Sequence, residues 1–113
     1  MPHNTSKHIF LAPAPRIVSD ILDESDLRRL RAIGDVVIHE DGPVTDAIYD
    51  KNAAKAEIII GQIDLPESRL KRATSLRAVF NVEGNFLPNI DYAYCFRHGI
   101  RVLNISQIGR AHV

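Results

Sequence analysis

A chain of 113 residues with 14 Lys plus Arg against 14 Asp plus Glu carries no formal net charge. Its 45% apolar and 25% charged residues are those of an ordinary folded domain, which excludes long disorder and fibrous repeats. Neutrality argues against a nucleic-acid or anionic-membrane surface, and no apolar run approaches the ~18 residues of a membrane span. The single cysteine, Cys95, cannot close an internal disulfide, which fits a cytoplasmic protein.

Residues 1–7 read as a flexible lead-in without the apolar core of a signal peptide. Residues 8–12 form a first strand, stopped by Pro13 and Pro15. Ile17, Ile21 and Leu22, then Leu27, Leu30 and Ile33, recur at near-helical spacing, with Ser25 as N-cap and Gly34 as the stop. Residues 36–39 make a second strand, ended by Asp41-Gly42-Pro43. Residues 45–55 read as a short amphipathic helix with Ala47, Ile48, Ala53 and Ala54 available to pack. Residues 56–61 are the clearest strand, because consecutive isoleucines suit a parallel strand buried on both faces. Pro66 opens a helix lined by Leu65, Leu70 and Ala73. Residues 76–82 are the fourth strand, Pro88 opens a helix closed by His98-Gly99, and residues 100–104 are the fifth strand.

This alternation predicts an α/β fold, a flavodoxin-like doubly wound parallel five-stranded sheet with helices on both faces. Ligands are then expected at the carboxyl ends of the strands, where Gly61-Gln62 and Asn81-Val82-Glu83-Gly84 fall. Residues 8–106 form the domain. Residues 107–113 break the pattern, and residues 108–113 match one reading frame of a widely used sequencing adapter, so this tail is read as non-native.

Familiar catalytic signatures are missing. No two glycines stand in the G-x-G spacing of a dinucleotide loop, and neither a P-loop nor a G-x-S-x-G elbow occurs. Cys95 and His98 share a helix, yet zinc needs more ligands than the remaining histidines supply. The simpler reading makes His98 a helix-end residue and Cys95 a small buried hydrophobe, with no metal site. Asp91 reads as an early-helix charge. The basic runs around Arg28 and Arg69 read as solvated helix faces. Residues 80–85 are different, since a strand ending in a Gly-containing turn leaves backbone N–H groups aimed off the sheet edge, and such a nest suits a carboxylate. Spacing alone favours an ordinary strand-to-helix turn.

Residues 56–62, 76–79, 81–85, 88–92 and 98–104 together, in this order and near this spacing, resemble the D-isomer-specific 2-hydroxyacid dehydrogenases over about residues 8 to 106. The resemblance implies the N-terminal part of that family's substrate (catalytic) domain, truncated, in an oxidoreductase that interconverts D-2-hydroxy acids and 2-keto acids with NAD or NADP. It implies that Val82, Glu83 and Gly84 hold the substrate carboxylate through backbone amides, beside Asn81. It also implies that Gly61 and Gln62 line the same cleft, and that Asn104, Ile105 and Ser106 lead to the hinge.

The stretch from Phe80 to Asp91 is one residue longer than the commoner family pattern, and Glu83 must turn its carboxylate away while its N–H faces the anion. The family's catalytic set and nucleotide loop would lie past residue 113. The chain alone is therefore expected to be inactive and to hold no cofactor, and it would work beside a nucleotide-binding domain in a homodimer. The alternative is a complete, non-enzymatic flavodoxin-like binding or signalling module. The first strand ends in Leu11-Ala12-Pro13, without the acidic residues of a phospho-receiver.

Overall fold

The protein is described from a computed structural model, over residues 7–14, 17–81 and 89–104. The elements run β1 (Lys7–Ala12), α1 (Val18–Ile21), α2 (Glu24–Ile33), β2 (Gly34–Ile38), α3 (Asp46–Ile48) with a π-helical turn over Tyr49–Ala53, β3 (Ile58–Gly61), α4 (Glu67–Leu70), β4 (Ala78–Asn81), α5 (Tyr92–Arg97) and β5 (Arg101–Asn104). All pairings are parallel and the strand order is β2-β1-β3-β4-β5. This is the flavodoxin-like order expected from the alternation.

The two faces of the sheet are covered unequally. Phe10, Ala12, Ile59, Val79 and Val102 point to the face packed by α3, the π-turn, α4 and α5, with Tyr49, Leu70 and Cys95 as its deep side chains. Ile9, Leu11 and Ile60 point to the other face, where α1 and α2 are the helices among the described residues, and there Leu27 and Leu30 are half-buried. Each strand residue alternates between these faces, so both halves of an isoleucine run find apolar partners.

Several boundaries differ from the sequence expectation. Ser25 is not the cap of α2; Asp23 is, its carboxylate accepting from the Asp26 N–H at 2.7 Å. An acid two residues earlier serves the orphan donors of the first turn and adds charge at the positive helix end, so it wins over the serine. Ile17 and Ile33 are exposed, Ile17 at the N-cap of α1 and Ile33 as the last residue of α2. Ala47 is exposed too, and the residue that enters the core from this segment is Tyr49. The π-turn makes this possible: Ala54 N–H reaches the Tyr49 carbonyl at 2.9 Å, and the extra residue in the turn shifts which side chains face the sheet. The third and fourth strands begin two residues later than expected, at Ile58 and Ala78.

The last helix is capped at both ends. Asp91 accepts from the Tyr94 N–H at 3.0 Å, and Pro88, expected to open this helix, lies outside the described residues. At the other end Gly99 takes φ +70°, letting Ile100 N–H reach the Cys95 carbonyl at 2.9 Å and Gly99 N–H reach that of Phe96. That pair of bonds is the glycine stop predicted for His98-Gly99. The His98 ring stacks on Tyr94, with centroids 4.0 Å apart.

Candidate functional site

Parallel pairing brings the carboxyl ends of four strands into one row. Ala12 stands beside Gly61, Gly61 beside Asn81, and Asn81 beside Asn104. Residues some 90 positions apart in sequence thereby share an edge, which is where a doubly wound sheet exposes free backbone groups to a ligand. Gly61 is required here by close approach. A Cβ on it would stand 2.1 Å from the Ala12 carbonyl oxygen, and its φ is +155°.

Asn81 is the only buried polar side chain among the described residues, at 1% exposure. Its Oδ1 accepts a long hydrogen bond from Asn89 Nδ2 at 3.5 Å, whereas its Nδ2 has no partner with hydrogen-bond geometry. The Tyr92 phenol is nonetheless near: burial raises its pKa, and Asn81 pulls it partly back. A buried amide donor without a well-aligned acceptor is costly, which makes Asn81 the most polar point of this buried row.

Asn89 escaped the sequence reading, and it organises this edge. Its Nδ2 donates to the Ile63 carbonyl at 2.8 Å, its Oδ1 accepts from Gln62 Nε2 at 3.3 Å, and its own carbonyl accepts the Leu65 N–H at 2.6 Å. Asp91 N–H closes the bridge on the Leu65 carbonyl at 3.0 Å. The turn after β3 is thus stapled to the residues just before α5. The only signal in the sequence was an Asn between Pro88, read as opening the helix, and Asp91, read as an early-helix charge. Replacing Asn89 by Ala is expected to cost about 1–2 kcal/mol, since it strands the Ile63 carbonyl. Hydrogen exchange at Leu65 and Asp91 should accelerate while β1 stays protected; unchanged exchange at those amides would refute the staple.

Gly61, Gln62 and Asn81 are therefore brought together as expected. Val82, Glu83, Gly84, Ile105 and Ser106 lie outside the described residues, and Asn104 ends β5 on the same row. Arg69 fixes the neighbouring loops: its guanidinium donates to Asp46 and to the Asp64 and Val44 carbonyls, each at 3.0 Å. Arg69 and Arg72 both stand over the Tyr49 ring, and each pairs with a carboxylate, Asp46 and Asp50. They are structural tethers rather than the solvated face the sequence suggested.

Cys95 is buried, and burial followed by the nearby Asp91 pushes its thiol pKa up, the reverse of a nucleophile or metal ligand. No group of three metal-ligating side chains converges among the described residues. The described part of the carboxyl edge is narrow at its switch point. The crevice between the loops after β1 and β3, at the topological switch point, holds about 90 Å³, against the several hundred of a typical ligand pocket. Its β1 side starts at Pro13, which has no N–H to offer a phosphate.

Solved structures share this fold. A phosphoglycerate oxidoreductase from Rhizobium etli superimposes with a TM-score of 0.71 and 30% identity over 85% of the chain. The chain carries the fold of the D-2-hydroxyacid dehydrogenase family. A 3-phosphoglycerate dehydrogenase from Entamoeba histolytica, solved with NAD+ bound, matches at TM-score 0.62 and 17% identity over 88% of the chain, a likeness of fold. The chain spans 30% of the first of these proteins and 33% of the second. No protein-family model matches it, and no curated sequence does. Among the described residues, no helix is long and apolar enough to cross a membrane.

Proposed function

We propose that the chain is the substrate-holding part of an NAD(P)-dependent oxidoreductase acting on D-2-hydroxy acids and 2-keto acids. The observation that carries this reading is the row Gly61, Asn81 and Asn104 at the carboxyl edge, in a fold shared at 30% identity with a phosphoglycerate oxidoreductase. The substrate carboxylate lies against the backbone amides of Val82, Glu83 and Gly84. Asn81 stands beside it, and Gly61 and Gln62 line the same cleft. Bound NAD(H) would supply the hydride, and the residues that hold it lie in a nucleotide-binding domain beyond this chain.

That domain needs a surface to rest on. β5 is the edge strand of the described sheet, and beside it Phe96 is 86% exposed and Leu103 39% exposed. An apolar edge of this kind supports a chain that works against a further domain or a second copy, and the whole protein is proposed to be a cytoplasmic homodimer. Hydride transfer needs cofactor and substrate in one cleft, so the isolated chain is inactive.

The test joins the chain to a nucleotide-binding lobe. Gly84→Val there is expected to raise the KM for the 2-keto acid about tenfold or more, with the KM for NADH nearly unchanged, because bulk at the amide cradle displaces the acid alone. Equal losses in both constants would refute the cradle. NAD(H)-dependent turnover by the 113-residue chain alone would refute the division of labour.

A further inference from the structure

The geometry points to a second anion site at the opposite, amino-terminal edge of the sheet, built for a small multivalent phosphate. A groove of about 820 Å³ runs there, lined by Lys7, Arg77, Arg101 and His98 with the hydroxyls of Thr74 and Ser75. Its cations come from the starts of three different strands: Lys7 opens β1, Arg77 precedes β4 by one residue, and Arg101 opens β5. Arg101 N–H donates to the Arg77 carbonyl at 3.0 Å, which joins the two residues through the backbone at the groove.

Arg69 and Arg72 each hold an aspartate, whereas among the described residues neither Arg77 nor Arg101 has an ion pair or a side-chain hydrogen bond. Among the described residues Arg28, Arg29 and Arg31 on α2 are unpaired as well, and what separates Arg77 and Arg101 is that they line one groove together with Lys7. The one carboxylate of the groove, Glu57, is engaged with Lys7 at 3.6 Å. A neutral chain has thus gathered a local excess of cations around hydroxyl donors, and guanidinium pairs favour phosphate because their forked donors match its oxygens.

This site is separate from the carboxyl edge and does not depend on the function proposed above. One four-residue strand, β4, lies between Arg77 and the end of Asn81, a rise of roughly 13 Å, so no small acid spans both. The carbonyl ends of α4 and α5 also face this edge, and offsetting them is the competing use for the same cations.

Titrating the ¹⁵N-labelled 113-residue chain with inorganic pyrophosphate at low ionic strength distinguishes the two. Saturable shifts are expected at residues 74–78 and 98–101. Arg77→Gln and Arg101→Gln, both at exposed positions, should each weaken binding about tenfold, while Arg31→Gln on exposed α2 leaves it unchanged. An ADP arm assigns the source: tighter binding than pyrophosphate marks a nucleotide, and equal binding marks free phosphate. Shifts that never saturate, or that fall as much with Arg31→Gln as with Arg77→Gln, would overturn the site and leave the cations as helix-end partners.

Discussion

Gly61→Ala is expected to destabilise the chain by about 3 kcal/mol or more, with the urea midpoint falling and the melting temperature dropping on the order of 10 °C. Two penalties combine at this position. The new methyl would stand 2.1 Å from the Ala12 carbonyl oxygen, which is backbone of the neighbouring strand and cannot rotate away. The residue also sits at φ +155°, where L side chains are strained. Gly99→Ala is the control, because Gly99 has φ +70° but open space around its Cβ position. It should cost only about 1 kcal/mol, the conformational share alone. Equal losses in the two variants would show that close strand approach is not what requires Gly61. A larger loss at Gly61 ties stability to the same edge that gathers Asn81 and Gln62, since moving β3 from β1 moves the whole row.

Tyr49→Ala carries the other large effect, about 3–5 kcal/mol, because the ring is fully buried and its removal leaves a cavity in the larger core. Tyr49→Phe isolates the hydroxyl, which donates to the Arg69 carbonyl at 2.7 Å; losing that bond should cost about 1 kcal/mol. The pair of variants also carries a pH signature. Burial pushes the Tyr49 pKa from 10.0 up to about 12, against the opposing pull of Arg72 and Arg69. The folded state therefore keeps a proton that the unfolded chain releases first. Stability from this group is complete below pH 10 and lost as pH rises through about 12. Wild type should lose stability over that window more steeply than Tyr49→Phe, as measured by urea midpoints at stepped alkaline pH. Parallel pH profiles would mean that the phenol ionises as freely when folded as when unfolded.

Sequence and structure agree wherever the determining interaction is local. The isoleucines at 58–60 and the apolar run of β1 announce strands because a two-residue period is read within a few residues. His98-Gly99 announces a stop because only glycine takes φ +70° there without strain. The alternation of such elements, under the right-handed crossover rule, leaves few topologies, and the flavodoxin-like order is among them. Gly61, Gln62 and Asn81 followed from that order, since strand ends on a parallel sheet must share an edge.

Errors appeared where competing local choices were nearly equal. Asp23 and Ser25 are both good caps, and only the path of the chain into α2 selects the first. Residues 45–55 carry a helical pattern, but the register within that helix depends on one extra residue in a π-turn. No periodicity encodes it, so Ala47 was assigned to the core and Tyr49 was not.

The class of fold and the strand ends that share an edge were legible along the chain, because period, turn residues and ordered motifs are properties of neighbours in sequence. Only the tertiary structure decided that Asn89 staples two loops, that Arg69 and Arg72 are tethered over Tyr49, and that Lys7, Arg77 and Arg101 meet at one edge. Those side chains are tens of residues apart, and what brings them within reach is strand order and register, which are set by the packing of the whole sheet.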